Sequence, residues 1–490
     1  MIYNKIMSYF ACIFPKKVVY LQQKYGKIMY QKPARTNQQS LFFTLEEQLN
    51  TKHPLYILAN KINWEMFEER FKVLYSQDNG CPCVPIRRMV GLLILKHLRN
   101  ISDENVVEQW QENVYYQYFC GEQELQVGAP CSATELVEFR KRIGPEGVEL
   151  ILQESIRVNS DHDKDDTGFI DSTVQGKNVT FPTDAKLTKK VIERCKKLSE
   201  DLELPVRQSY KRVLKDLARD QRFRNHPRNK KKALRADKKV KTIAGRLLRE
   251  LERNLNSRGL YELYAEDIAL WWRVLTQRKS DKDKVYSIHE PEVQCISKGK
   301  EHKKYEFGNK VSVVRTTGGL IIGAMSFRNE YDGHTIDPAL QQVERLTGRR
   351  LKVLAGDRGY RGQKMSGTTK VVIPDTPKAS DSYYKRRKKH DLFCKRAGIE
   401  PVIGHLKSDH RLGRNFYKGV FGDDINIMLS AAAFNFKRAM RLLLRFFFGW
   451  ICEINGHDEE SGGNIAPRIE YFSSYSLEPV CLHLSRGRAF

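Results

Sequence analysis

The chain has 490 residues, with 85 Lys and Arg against 59 Asp and Glu, a net charge of +26. An excess of that size exceeds what solubility requires and points to a polyanionic partner, and the length favours two or more domains. With 40% apolar and 10% aromatic residues, the sequence can fill hydrophobic cores, which excludes wholesale disorder.

A spanning helix needs about 18 or more apolar residues. The best stretch, 442–452, is short and carries Arg445, so no membrane partner is expected. At the N-terminus the apolar run from Met7 to Phe14 follows Lys5 but leads to no small-residue cleavage site, so no secretory leader is expected. The 10 cysteines are scattered apart from Cys81-Pro82-Cys83. That pair lacks both the two-residue spacer and the companion pair of a zinc site, and free thiols in a reducing cytosol follow.

Residues 1–40 have no sustained period, and Met29 offers an alternative start, so they are expected to be an N-terminal extension. From 41 to 160 the pattern is that of an all-helical domain. Ile62, Met66, Phe67 and Phe71 share a helical face, Pro85 can open a helix running through Met89, Leu92, Leu93 and Lys96, and Ser102 starts a cap before Val106 and Trp110. Arg87, Arg88, Lys96, Arg99, Arg140, Lys141 and Arg142 are expected on its polar faces, which suits a DNA-binding domain.

An acidic hinge, Asp161 to Asp166, precedes a change of period. Strands are expected at 169–175, 285–289, 310–315, 320–327, 351–355 and 370–373, with helices at 337–346 and around 391–411. Alternation of this kind predicts an α/β or α+β catalytic domain over 161–449, with α/β the preferred class. It is interrupted by a helical insert, 183–280. Within the insert, residues 205–256 hold 18 Lys and Arg against 5 Asp and Glu, and Leu214, Leu217, Leu247, Leu248 and Leu251 keep helical spacing. The expectation is a folded basic arm that contacts nucleic acid through residues such as Lys230, Lys231, Lys232, Lys238 and Lys239. Residues 450–490 are expected to form a loose tail.

Three acids are candidates for chemistry: Asp171 on the first strand, Asp357 directly after the strand at 351–355, and Glu400. Each alone reads as a turn or cap residue. Together they could gather around hard divalent cations, which take oxygen ligands and keep substrate phosphates in their shell. Asp184 is the weaker alternative to Asp171, because Thr183-Asp184 reads as a helix cap. His289, Glu290 and His302 are too poorly organised for zinc, and Lys298, Lys300, Lys303 and Lys304 around them suit a DNA-guiding strand pair. His405 reads as structural.

Arg396, Glu400 and Lys407, at their spacing, resemble the signature around the catalytic glutamate of DDE transposases of the IS4/IS5 superfamily. Ile170-Asp171-Ser172-Thr173-Val174 and Gly356-Asp357-Arg358-Gly359-Tyr360-Arg361-Gly362 are similar to that family's two aspartate motifs. The helical region 41–142 resembles the N-terminal domain of IS5-type transposases, and the run from Asp424 to Lys437 resembles their closing helix.

The resemblance covers about 41–445 and implies an RNase H-like core. In it Asp171, Asp357 and Glu400 would hold two Mg²⁺ ions, with Mn²⁺ able to substitute. Arg396, Lys407, Arg358 and Arg361 would face DNA. It further implies hydrolysis at the terminal inverted repeats, strand transfer by the freed 3′-hydroxyl, a homodimer on double-stranded DNA and a bacterial, nucleoid-associated cytoplasmic setting. Two positions depart from the pattern. Phe393 stands where the signature has Tyr, and Pro401 either kinks the helix at the glutamate or lies in its first turn. A catalytically inactive DNA-binding derivative and a general metal-dependent nuclease are the competing readings.

Overall fold

A computed structural model describes residues 44–76, 80–159, 165–278, 280–297, 305–328, 330–362, 364–374 and 381–455, with side chains up to residue 442. The expectations for residues 1–40, for most of the acidic hinge, for His302 and the lysines 298, 300, 303 and 304, and for the tail from 456 lie outside the described residues.

Seven helices open the described chain: α1 (Leu45–Gln48), α2 (Pro54–Lys61), α3 (Trp64–Phe71), α4 (Ile86–Leu98), α5 (Asp103–Glu112), α6 (Val114–Phe119) and α7 (Ala133–Arg157). Their ends follow the capping rules. Ser102 Oγ accepts the Asn105 amide at the start of α5, and Ser132 forms a reciprocal capping box with Glu135 at the start of α7. Phe67, Phe71, Leu92, Leu93, Trp110, Phe119 and Leu152 are buried in one apolar cluster, and that cluster continues into Ile170, Val313, Leu340 and Phe436 of the following region. The helices therefore pack on the sheet instead of standing apart from it.

Most of the cations expected on the polar faces of these helices are engaged within the fold. Lys96 and Arg140 are buried and both pair with Asp103, at 2.8 and 2.7 Å. Each also lies 4.5 Å from the centre of the Tyr417 ring. Arg87 stacks on Trp64, Arg142 stacks on Tyr75, and Arg88 pairs with Glu122. The sequence reading missed this because aromatic and acidic partners distant in the chain converge on them. Arg99 and Lys141 remain exposed.

The sheet is built on β1 (Thr167–Gly176), flanked by β2 (Gln294–Ser297), β3 (Tyr305–Thr316), β4 (Ile321–Phe327), β5 (Val353–Ala355), β6 (Met365–Ser366) and β7 (Thr369–Val372). β1 is antiparallel to β3 and parallel to β5. β4 and β2 lie along the other edge of β3, β7 runs parallel to β5, and β6 pairs with β7. The strand expected at 285–289 does not form. The Gln277 side chain satisfies both backbone groups of Val285, while Val285 and Ile288 are buried in the insert's core.

The insert comprises α8 (Asp184–Asp201), α9 (Lys211–Asp220), α10 (Pro227–Ser257) and α11 (Tyr261–Thr276). It has its own apolar core, to which Leu217, Val240, Ile243, Leu247, Leu248, Leu251 and Trp271 contribute. After α12 (Ile336–Thr347) the chain returns through β5 to β7 and closes with α13 (Tyr383–Ala397), α14 (Ile399–Asp409) and α15 (Gly419–Asn455). α15 fills the sheet's covered face with Ile427, Leu429, Ala432 and Phe436. Among the described residues no helix is long and apolar enough to cross a membrane.

Candidate active site

Register brings the two aspartates together. β1 pairs with β5 in parallel, with Phe169 opposite Ala355. Asp171 and Asp357 each lie two residues further on, and side chains two apart along a strand share a face. Phe169 and Ala355 pack in a small cluster with Ile399, the first residue of α14, so that face is the one α14 covers. Glu400 follows Ile399 directly. Three carboxylates far apart in sequence thus come near enough for the charges of Asp357 and Glu400 to act on Asp171, beside the end of the parallel β1–β5 pairing, the usual position of a site in such sheets.

The break between α13 and α14 is what allows this approach. α13 stops at Ala397, Gly398 makes the joint, and Pro401 falls in the first turn of α14, where a missing N–H is tolerated. The helix therefore begins at the glutamate. Arg315, opposite Phe169 on β3, stacks on the Phe169 ring at 5.3 Å and donates to the Lys395 carbonyl at the end of α13. A Cβ at position 398 would stand 2.5 Å from Arg315 Nη2, so any larger residue there would displace the guanidinium from the joint.

The Asp171 side chain is 17% exposed. Its Oδ1 accepts the Ser172 amide at 2.8 Å, and Asp357 Oδ1 accepts the Gly359 amide at 2.8 Å. Burial, and next the negative charge of Asp357, push the Asp171 carboxyl up to about 6; Glu400 adds to the rise, while the Ser172 amide and Arg396 oppose it. Arg396 lies between the carboxylates, 3.5 Å from Asp171 Oδ2 and 3.7 Å from Glu400 Oε1. The Glu400 side chain is 70% exposed and turns toward that guanidinium. Among the described residues no three His, Cys, Asp or Glu side chains stand at metal-ligating distance from one another.

Asp332 is a fourth acid here, and the sequence reading passed over it because Asp332-Gly333 has the form of an ordinary turn. It accepts the Ser172 hydroxyl at 2.9 Å and Lys310 Nζ at 2.7 Å. Tyr360 is buried behind the group, and its hydroxyl is pushed up by burial and by the charges of Asp171 and Asp332. A buried phenol beside a carboxylate cluster stays neutral.

Arg358 and Arg361 are exposed just past Asp357, and Lys407 is half-buried on α14. Lys230, Lys231, Lys238 and Lys239 lie on the exposed side of α10, opposite the buried Ala233, Ala236 and Val240; Lys232 pairs with Asp220 at 2.8 Å. The weaker candidates have structural roles. Asp184 is the first residue of α8 behind its Thr183 cap, Glu290 neighbours Lys177 and accepts the Gly419 amide, His289 contacts Ser287, and His405 contacts Asp409.

Residues 43–142 match the family described as "Transposase domain (DUF772)" and residues 272–436 match "Transposase DDE domain". The second match contains Asp357 and Glu400 and begins beyond Asp171, on the far side of most of the insert. A Rhizobium meliloti protein described as "Uncharacterized protein ORF8 in nfe locus" is 37% identical over 179 residues, which is 36% of this chain and 86% of that protein. No solved structure matches. DDE transposases act on DNA and generally use divalent metals. The chain belongs to the DDE transposases of insertion sequences, and it is an enzyme of that family.

Proposed function

We propose that this is a transposase of the IS5 type that binds the terminal inverted repeats of its element, hydrolyses a phosphodiester at each end and joins the freed 3′-hydroxyl to target DNA. The observation that carries the proposal is the convergence of Asp171, Asp357 and Glu400, which raises the Asp171 carboxyl to about 6 through burial and like charge. Strand order β4, β3, β1, β5, β7, antiparallel across the first three and parallel across the last two, supports an RNase H-like core.

The donor set fits Mg²⁺. The three side chains offer only oxygen, and a cation would offset the burial and the like charge that raise the Asp171 carboxyl. Asp171, Asp357 and Glu400 would hold two ions, and Mn²⁺ could substitute. Bound there, the metal would activate the attacking hydroxyl and stabilise the leaving oxygen. With its carboxyl near 6, Asp171 is ionised at neutral pH and available as a ligand. Arg396 holds Asp171 and Glu400 in one charged cluster, and with Lys407 it would steady the scissile phosphate. Arg358 and Arg361 extend the positive surface beside Asp357 toward flanking DNA.

In this reading residues 41–160 recognise the repeats with the cations left exposed, and the catalytic domain spans 161–449. The insert at 183–280 neutralises phosphates, and two copies hold the two ends in a bacterial cytoplasm. The test is a cleavage and strand-transfer assay on duplexes carrying the element ends. Wild type should nick and join with Mg²⁺, whereas Asp171→Asn, Asp357→Asn and Glu400→Gln should lose at least a thousandfold in rate while binding ends within a few-fold. Cleavage surviving in the variants would overturn the residue assignment. A wild type that binds ends without cutting would favour a DNA-binding derivative.

A further inference from the structure

We propose that Phe223, at the tip of the basic arm, is a wedge that inserts into a base step of the duplex the arm binds. The inference rests on the reading of the insert as a DNA-binding arm.

α9 and α10 are joined by the six residues 221–226, and Phe223 is the apex. The residue is 78% exposed and stands outside the insert's apolar core. Its backbone has φ 51°, a left-handed conformation disfavoured for a bulky residue. Gln221 before it and Arg224 after it are both tied back to α10. Arg224 Nη2 donates to the two Asp237 oxygens at 2.8 Å, and Gln221 Nε2 donates to Asp237 Oδ1 at 2.7 Å. The turn is closed by the His226 amide donating to the Phe223 carbonyl at 2.9 Å, and His226 Nδ1 caps α10 by accepting the Arg228 amide. Phe223 is thus the apolar group that the turn projects into solvent.

Its surroundings identify the occupant. Arg222, Arg228, Lys230 and Lys231 are exposed around the tip, and residues 205–256 carry 18 Lys and Arg against 5 Asp and Glu. A single apolar ring on a fixed turn within a ring of cations fits a duplex. The cations neutralise phosphates on either side, and the ring enters the stack, unstacking one step and bending the helix. An anionic membrane would also attract the charge, but it calls for a broad apolar face, and the exposed side of α10 is mainly Lys and Arg.

The experiment uses the full chain on end-containing duplexes carrying 2-aminopurine at successive positions, with end-to-end energy transfer reporting the bend. Wild type should raise 2-aminopurine fluorescence several-fold at one step and shorten the end-to-end distance. Phe223→Gly suits the backbone conformation and preserves the fold; it should lose both signals, keep affinity within about tenfold and keep the salt slope. Phe223→Trp should restore both signals. A Phe223→Gly protein that still unstacks and bends DNA, or a wild type that does neither while binding, overturns the wedge. If Lys230→Ala/Lys231→Ala leaves the salt slope unchanged, the arm itself is not on DNA and the underlying reading fails. Phe223-dependent sedimentation with phosphatidylserine vesicles, without any DNA signal, would assign the tip to membranes and also overturn the proposal.

Discussion

Asp171 is costly to the folded protein in the absence of a cation, so Asp171→Asn should make the metal-free protein more stable. The carboxyl moves from an ordinary 3.8 to about 6, and at about 1.4 kcal/mol per unit this is at most about 3 kcal/mol. A carboxyl whose folded-state value is raised stabilises the fold fully at pH below 3.8, and that stabilisation is lost as pH rises through about 6. That value already contains the opposing attraction of Arg396, 3.5 Å away, so a gain of up to about 3 kcal/mol is expected above pH 7. At the usual unfolding entropy per residue, a chain of 490 residues converts that to at most roughly 3 °C in melting temperature.

The assay is thermal unfolding of both proteins with a chelator, at pH 8 and at pH 4.5. The variant should melt higher at pH 8, and the gap should shrink to less than half at pH 4.5. Taking the difference between two proteins cancels other titrations, such as that of His410, which burial lowers to about 4. Mg²⁺ should raise the melting temperature of wild type and leave the variant unmoved. A variant that melts lower than wild type at both pH values would refute the reasoning, because Asp171 would then be a structural partner and not a strained ligand.

Two further outcomes are expected. Asp103→Ala strands Lys96 and Arg140, both buried, and should cost about 3–5 kcal/mol, measured by denaturant unfolding; a loss under 1 kcal/mol would mean the cations find water. Replacing Lys230, Lys231, Lys238 and Lys239 together by Ala should reduce the slope of log K against log salt by up to about 0.9 for each phosphate no longer neutralised, read from binding isotherms at several salt concentrations.

The local parts of the candidate site leave marks in the sequence. A strand carrying Asp171, a strand ending before Asp357, and a proline after Glu400 each leave a pattern in the residues beside them. What could not be read was set by distant partners. Asp332 becomes part of the site through Ser172 and Lys310, and no spacing announces that. Arg140 and Lys96 look like surface cations on their own helices and are buried only because Asp103 and Tyr417 arrive from elsewhere. The segment 285–289 has strand composition, but the backbone of Val285 bonds to the Gln277 side chain instead of to a neighbouring strand. Leu217, Leu247, Leu248 and Leu251 form the insert's core as their spacing predicts, because amphipathic helices carry their packing instructions within a few turns.

The shared carboxylate site itself can be mapped with Fe²⁺ in place of Mg²⁺. With ascorbate and peroxide, an iron held there generates radicals that cut the nearest backbone, and mass spectrometry locates the cuts. Scission should cluster near residues 171, 357 and 400 together and disappear in Asp171→Asn. Cuts confined to one of these segments, or scattered elsewhere, would contradict a site that all three side chains share.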